Sequence, residues 1–343
     1  DELNRLVSTT DAKENVESYV YDFDGNLTRI TDRNSAITEY TYDGVSNLIG
    51  EKNALNGETD YDYDPVNRLA KITNPNDQVT RNTYDLMGRK TVVTDSADGK
   101  TKYSYNGLDK VITKTNPRGY ATNYVYDPAG NLRKEIDALD HAELFDYDPV
   151  YNLTKRTDRR DNAVTYTYDP LNRVSEKKDE AGFVSKNGYD ANSNLTSMVD
   201  PKNGEWSQTY TPRDLLASRT LPEGQTEKYT YDENENLSSY KKPLGNEYRY
   251  EYDKLDLLTK QRDPLGHETA YGYDSVERVT KKIDAENHAT EYAYDPLHRM
   301  ISVTDALQGI TKYDYDPVGN LISIVDALDH GTTRQYDVMN RLK

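Results

Sequence analysis

The stretch YDYDPVGNL spans Tyr313–Leu321, and a near copy, YDYDPVNRL, spans Tyr61–Leu69. YVYDPAGNL, YTYDPLNRV and YAYDPLHRM begin at Tyr124, Tyr166 and Tyr292. A fixed period makes the fold a stack of one unit, so it is read before any local propensity. Here the period is 21 residues, marked by Tyr21, Tyr42, Tyr63, Tyr84, Tyr105, Tyr126, Tyr147, Tyr168, Tyr189, Tyr210, Tyr231, Tyr252, Tyr273, Tyr294, Tyr315 and Tyr336. These sixteen tyrosines keep one register with no insertion, and fourteen are followed by Asp, Asn106 and Thr211 being the exceptions.

Other columns keep the same register. Two residues before the marker stand Tyr19, Tyr40, Tyr61, Tyr103, Tyr124, Tyr166, Tyr229, Tyr250, Tyr271, Tyr292 and Tyr313, with Phe145 in the same slot. Six residues after the marker the slot is apolar, as at Leu27, Leu48, Leu69, Leu132 and Leu321, except for Lys90. All 13 prolines fall in two positions, two or twelve residues after the marker, as at Pro65 and Pro75. Glycines gather just beyond the second, as at Gly57, Gly119, Gly182, Gly245 and Gly266.

This punctuation reads as structure. The alternation T-x-Y-x-Y places β-branched and aromatic residues on a period of two, which predicts a strand. D-P-x-G/N-N/R predicts a tight turn: Asp bonds forward to the backbone, Pro presets φ, and Gly or Asn accepts positive φ. L-x-x-I/V-T-D predicts a second short strand, and P-L-G or A-L-D-H a second turn. Each repeat is then one β-hairpin plus its link to the next. Sixteen hairpins predict an all-β array of about 32 strands in a long antiparallel ribbon, and an open sheet of that extent must twist or curl. The two tyrosine columns and the leucine column are expected on the buried side of the ribbon, where neighbouring rings gain from each other. The other reading of the same columns is an aromatic strip that binds sugar or peptide.

Bulk composition fits a thin, tyrosine-rich core. Hydrophobic residues make up 34% of the 343, yet there are 31 Tyr against three Phe and one Trp. Disordered chains are poor in aromatics, so this is no disordered tail. Formal net charge is −17, which disfavours nucleic acid and anionic membranes as partners. The chain has no Cys, which excludes disulfides and thiolate metal sites. No apolar run approaches the roughly 20 residues of a membrane-spanning helix.

The repeat Y-x-Y-D-x-x-G-N-L…T-D-x-x-G…T resembles the YD repeat of the Rhs family, from Tyr19 to the last residue, with Asp1–Leu6 continuing it backwards. That family includes bacterial polymorphic toxins, cocoon components of insecticidal toxin complexes, wall-associated proteins and teneurins. The resemblance implies a β-ribbon that spirals into a hollow shell, which in the toxins holds a toxic domain. The expected partners are the rest of its own polypeptide (neighbouring shell turns, a plug and a cargo domain), with glycans in the adhesin alternative. Secretion or display at the bacterial surface is expected. The 343 residues are expected to form a single array, a fragment of a larger protein with both ends cut mid-repeat. Such a piece is expected to form an open ribbon rather than a closed cavity.

Candidate chemistry is sparse. Asp22–Asn26, DFDGN, resembles the start of a calcium loop, but no Glu closes a twelve-residue loop, and the same positions elsewhere read DPVGN or DPLNR. His141, His267, His288 and His330 share one position. Histidines in adjacent repeats stand about 10 Å apart, too far to share one zinc unaided. The Asp column offers every member the same environment, whereas an acid–base pair needs two. The sequons at Asn26, Asn152, Asn194 and Asn236 follow from successive repeat slots. The sequence therefore predicts no enzyme, no cofactor and no metal. The function it points to is a structural shell segment enclosing or presenting a cargo such as a C-terminal toxin domain; the alternative is a cell-surface adhesion or carbohydrate-binding rod.

Overall fold

A computed structural model describes Asp1–Lys343. It contains 32 strands and no helix, all in one open antiparallel sheet. Each repeat from Tyr21 to Tyr315 supplies a six-residue strand ending at the marker tyrosine, such as Val16–Tyr21 or Ile310–Tyr315, and a five-residue strand opening at the apolar slot, such as Leu27–Thr31 or Leu321–Val325, and the three-residue strands Ser8–Thr10 and Gly331–Thr333 stand at the two ends. The sheet divides into two compact units. One comprises Asp1–Lys100 with Tyr250–Lys343, the other Thr101–Arg249.

The two turns of a repeat share one geometry. In the first, the Asp22 N–H donates to the Asn26 carbonyl and the Gly25 N–H to the Asp22 carbonyl. In the second, Asp32, Ala36 and Ser35 take the same roles. The fourth residue of each turn has positive φ: Gly25 at 91°, Ser35 at 65°, Asn67 at 62°. A left-handed residue after a type I turn lets the two strands keep their right-handed twist. That explains why Gly, Asn and Asp fill these slots. The two turns differ in strand register. Across the first turn the register shifts by one, from Val20↔Arg29 to Tyr21↔Leu27, so Thr28 forms a bulge. Across the second it runs unshifted from Arg29↔Glu39 to Thr31↔Ile37.

The pleat sorts the side chains. In Glu58–Tyr63 and Ile310–Tyr315 exposure alternates strictly, with both tyrosines on the covered face. The opposite face is polar and carries cross-strand ion pairs such as Arg29–Glu39 at 2.7 Å and Lys281–Glu291 at 2.9 Å. Covered does not mean buried. No hydrophobic residue is fully buried, and the only buried residues are Asn82, Glu227 and Asp295. The expected buried side is therefore a half-buried one, because a single sheet layer has no second layer to close over it.

Candidate functional site

The residue types that could carry chemistry, Tyr, Asp, Arg and His, recur on the covered face and along the two rows of turns. Their geometry begins with the marker tyrosine. The hydroxyls of Tyr21, Tyr42, Tyr84, Tyr126, Tyr168, Tyr189, Tyr210, Tyr231, Tyr273, Tyr294, Tyr315 and Tyr336 each donate to a backbone carbonyl 15 residues earlier, at 2.8–3.1 Å. From Tyr42 onward the acceptor is the apolar-slot residue of the preceding repeat, for example Leu27 for Tyr42 and Leu69 for Tyr84. Tyr63, Tyr105, Tyr147 and Tyr252 end their strands in the same slot. A neutral hydrogen bond of this kind contributes about 0.5–1.5 kcal/mol. Asn82, standing where most repeats have the second Tyr, donates its amide to the same Leu69 carbonyl at 3.0 Å.

The turn Asp works locally and the residue four later works between repeats. Asp22 Oδ1 accepts the Asn26 N–H at 2.8 Å and its Oδ2 accepts the Asn26 amide at 3.0 Å. The calcium-like DFDGN thus has the bonds of its sister turns. Where Arg replaces Asn, three functions converge. Arg68 Nε donates to Asp64 Oδ2 at 2.7 Å, its Nη1 donates to the Asp85 carbonyl at 2.9 Å, and its guanidinium lies 4.8 Å from the centre of the Tyr84 ring. Arg173 repeats this with Asp169, Asp190 and Tyr189. Arg299 repeats it with Asp295, Asp316 and Tyr315. The Arg staple was not legible in the sequence; the signal was Arg five residues after the marker.

These bonds set the protonation states. The Asn26 amide and turn N–H groups hold the Asp22 carboxyl below its ordinary range. The Arg341 guanidinium, with the turn N–H groups, holds Asp337 at about 2. Burial raises the hydroxyls of Tyr42, Tyr84, Tyr168 and Tyr315. Across the first turns the Asp carboxylates share one hydrogen-bonding pattern, with the N–H and side chain of the residue four later as donors, as at Asp22, Asp64 and Asp169. The sequon asparagines Asn26, Asn152, Asn194 and Asn236 likewise donate their amides to turn carboxylates.

One group within Thr101–Arg249 breaks the repetition. Glu227, 7% exposed, accepts the Tyr240 hydroxyl at 2.7 Å, the Tyr229 hydroxyl at 3.0 Å and Arg219 Nε at 2.8 Å. The Tyr229 and Tyr240 rings stack with centroids 5.1 Å apart, and Tyr248 continues the stack at 6.1 Å. Burial favours the neutral acid, but the hydrogen bonds from Tyr240, Arg219 and Tyr229 outweigh it and lower the Glu227 pKa. The hydrogen bond to Glu227, followed by burial, pushes Tyr240 up to about 12.

Within the other unit, turn meets turn. Lys13 pairs with Asp253, Asn34 donates to Asp274 Oδ2 at 3.1 Å and Asn76 to Asp316 Oδ2 at 3.0 Å, each across 240 residues of sequence. Each joins the second turn of an early repeat to the first turn of a late one. A cavity of about 430 Å³ opens on this seam beside Leu55, Asn56, Leu297 and Arg299. The turn histidines His141, His267, His288 and His330 are exposed, and each points its Nδ1 at the Asp four residues earlier.

Comparison with known proteins identifies the repeat. The Teneurin YD-shell family model matches residues 51–208, and the RHS Repeat model matches 21–58, 231–268, 252–289 and 273–310. No curated protein matches the chain. The crystal structure of TcdB2-TccC3-TEV is similar over 95% of this chain and 23% of that one, with 15% identity and a TM-score of 0.63. The crystal structure of TcdB2-TccC3 gives 98% and 22%, with 16% identity and a TM-score of 0.60. A Photorhabdus luminescens Tc holotoxin pore carrying a TccC3 mutation gives 95% and 23%, with 15% identity and a TM-score of 0.62. The chain spans less than a quarter of the length of these structures. It is an array of Rhs/YD repeats with the shell fold of those toxin-complex chains.

Proposed function

We propose that this Rhs/YD-repeat array is a non-enzymatic segment of shell wall that, with the rest of its polypeptide, encloses or presents a cargo such as a C-terminal toxin domain. The observation that carries the reading is the use of the Tyr, Asp and Arg columns. Their polar atoms are spent on bonds within turns and between repeats, as Tyr84, Asp85 and Arg68 illustrate. Surfaces that act on substrates leave such groups free and place them in unlike environments. The likeness to toxin-complex chains supports a structural role, and the coverage of under a quarter of those chains supports a longer parent polypeptide. Its partners are then the neighbouring wall, a plug and the cargo of the same polypeptide, secreted from or displayed on a bacterium.

A carbohydrate-binding rod is the second reading, favoured by the stacked Tyr229, Tyr240 and Tyr248 rings. Limited proteolysis of the longer polypeptide, read by mass spectrometry, separates the two. Enclosure predicts that the segment beyond the array resists protease until the wall is unfolded. Digestion of that segment at the rate of the free segment, together with retention of the array on immobilised glycans, overturns it.

A further inference from the structure

Within the unit formed by Asp1–Lys100 and Tyr250–Lys343, some turns are docked in the seam and chemically equivalent turns are not. Docking keeps the two rows in step. Lys13 meets Asp253, Asn34 meets Asp274 and Asn76 meets Asp316, so the second-turn row and the first-turn row run in the same direction. Ser275 Oγ donates to the Arg33 carbonyl at 2.8 Å, and Gln78 Nε2 donates to Asn340 Oδ1 at 3.2 Å. The docked first turns carry an apolar third residue, Leu255, Val276, Leu297, Val318 or Met339, and all five are half-buried. The same position is apolar in the first turns of early repeats, at Val45, Val66 and Met87, and there it is 65–76% exposed.

The second-turn row shows the same contrast. Leu55 is docked, lines the seam cavity together with Leu297, and is 44% exposed. Leu265, Leu307 and Leu328 hold the same position in late repeats and are 75–92% exposed. Docking thus covers an apolar residue on each side, and each side also exists uncovered on this chain. Neighbouring turns of a row stand about 10 Å apart, since two strands separate them. Each open row has one acidic interruption, Asp24 in the first-turn row and Glu286 in the second-turn row. Rows of exposed apolar side chains of this kind mark contact surfaces.

We propose that the two open rows are the two halves of an interface between copies of this chain, the second turns of one copy docking on the first turns of the next. The argument is continuity with the seam: the open rows have its period, its direction and its residue types. The two rows differ, so the contact is head-to-tail, and each added copy leaves one row of each kind open. Association is then open-ended rather than a closed dimer. The formal charge of −17 on every copy opposes the contact, and salt screens that repulsion. The contact does not depend on whether the wall encloses a cargo.

The test is sedimentation velocity of the 343-residue chain over a concentration series at low and high salt. Species larger than a dimer are expected as concentration rises, and more of them at high salt. Two double variants break one row each. Leu307→Glu with Leu328→Glu installs the residue that the sister turn carries at Glu286, and Val66→Asp with Met87→Asp the one at Asp24. Each double variant is expected to weaken association by about tenfold or more through the loss of two apolar contacts, with far-ultraviolet circular dichroism unchanged. Mixed in equal amounts, each variant still offers one intact row, so the mixture is expected to form dimers that grow no further. Monomers at every concentration would mean that the rows take another occupant or none, and would overturn the interface. Wild-type association in either variant would overturn it too, by placing the contact elsewhere, such as the end strands Ser8–Thr10 and Gly331–Thr333. A mixture that forms no dimers would overturn the head-to-tail pairing of the two rows.

Discussion

At the scale of the residue, the turn aspartate decides how the array responds to acid. Asn47 and Asn131 side chains and the turn N–H groups hold Asp43 and Asp127 below their ordinary range, and Arg173 does so for Asp169. Asp337 is held at about 2. A carboxyl whose pKa is depressed by folding stabilises the fold above its unfolded pKa and loses that contribution as pH falls through the folded value. The melting temperature is therefore expected to stay flat from about pH 7 to 5 and to fall between about pH 4 and 2. Thermal melts followed by circular dichroism check this. A melting temperature that holds down to about pH 2 would mean that the turn carboxylates carry no folding energy.

At the scale of the element, the hairpin unit was legible and its couplings were not. Strand alternation and the D-P-x-G-N turn could be read because a strand's two faces and a turn's φ demands act within a few residues. The second turn's Asp, such as Asp32 or Asp158, gives the same cap as the first, but its varied followers hid the likeness. The target of the Tyr hydroxyl lies 15 residues back, set by how one hairpin docks on the last, and no local pattern reports that. Burial was overread for the same reason: a thin sheet half-covers Leu27 and Leu69 rather than enclosing them. Lys90 stands exposed in this slot. Since the slot is half-covered, Lys90→Leu is expected to stabilise the chain by about 1 kcal/mol, below the full burial value. Hydrogen exchange over residues 83–94 is expected to slow in that variant; unchanged exchange would mean that the column contributes no apolar contact.

At the scale of the whole molecule, a 343-residue chain with no fully buried hydrophobic residue needs another source of cohesion. The sheet ladder supplies part of it, within and between repeats, and the tyrosine hydroxyls add a second link from one repeat to the next. This is the arrangement expected of a linear array, in which each unit is stabilised by its neighbours, and it is the premise of the proposed wall function. The premise can be tested through proton linkage. Burial raises Tyr84, Tyr168, Tyr294 and Tyr315, and the Glu227 carboxylate takes Tyr240 to about 12. A group whose pKa rises on folding contributes fully below its unfolded value, about 10 for tyrosine, and loses that contribution as pH climbs through the folded value. The deciding measurement is an alkaline titration of the intact chain, with phenolate absorbance and circular dichroism recorded together. The ladder predicts that many of the tyrosines ionise only above about pH 10 and do so as the β signal is lost. Ionisation of every tyrosine at its ordinary pKa, with the β signal intact, would contradict it.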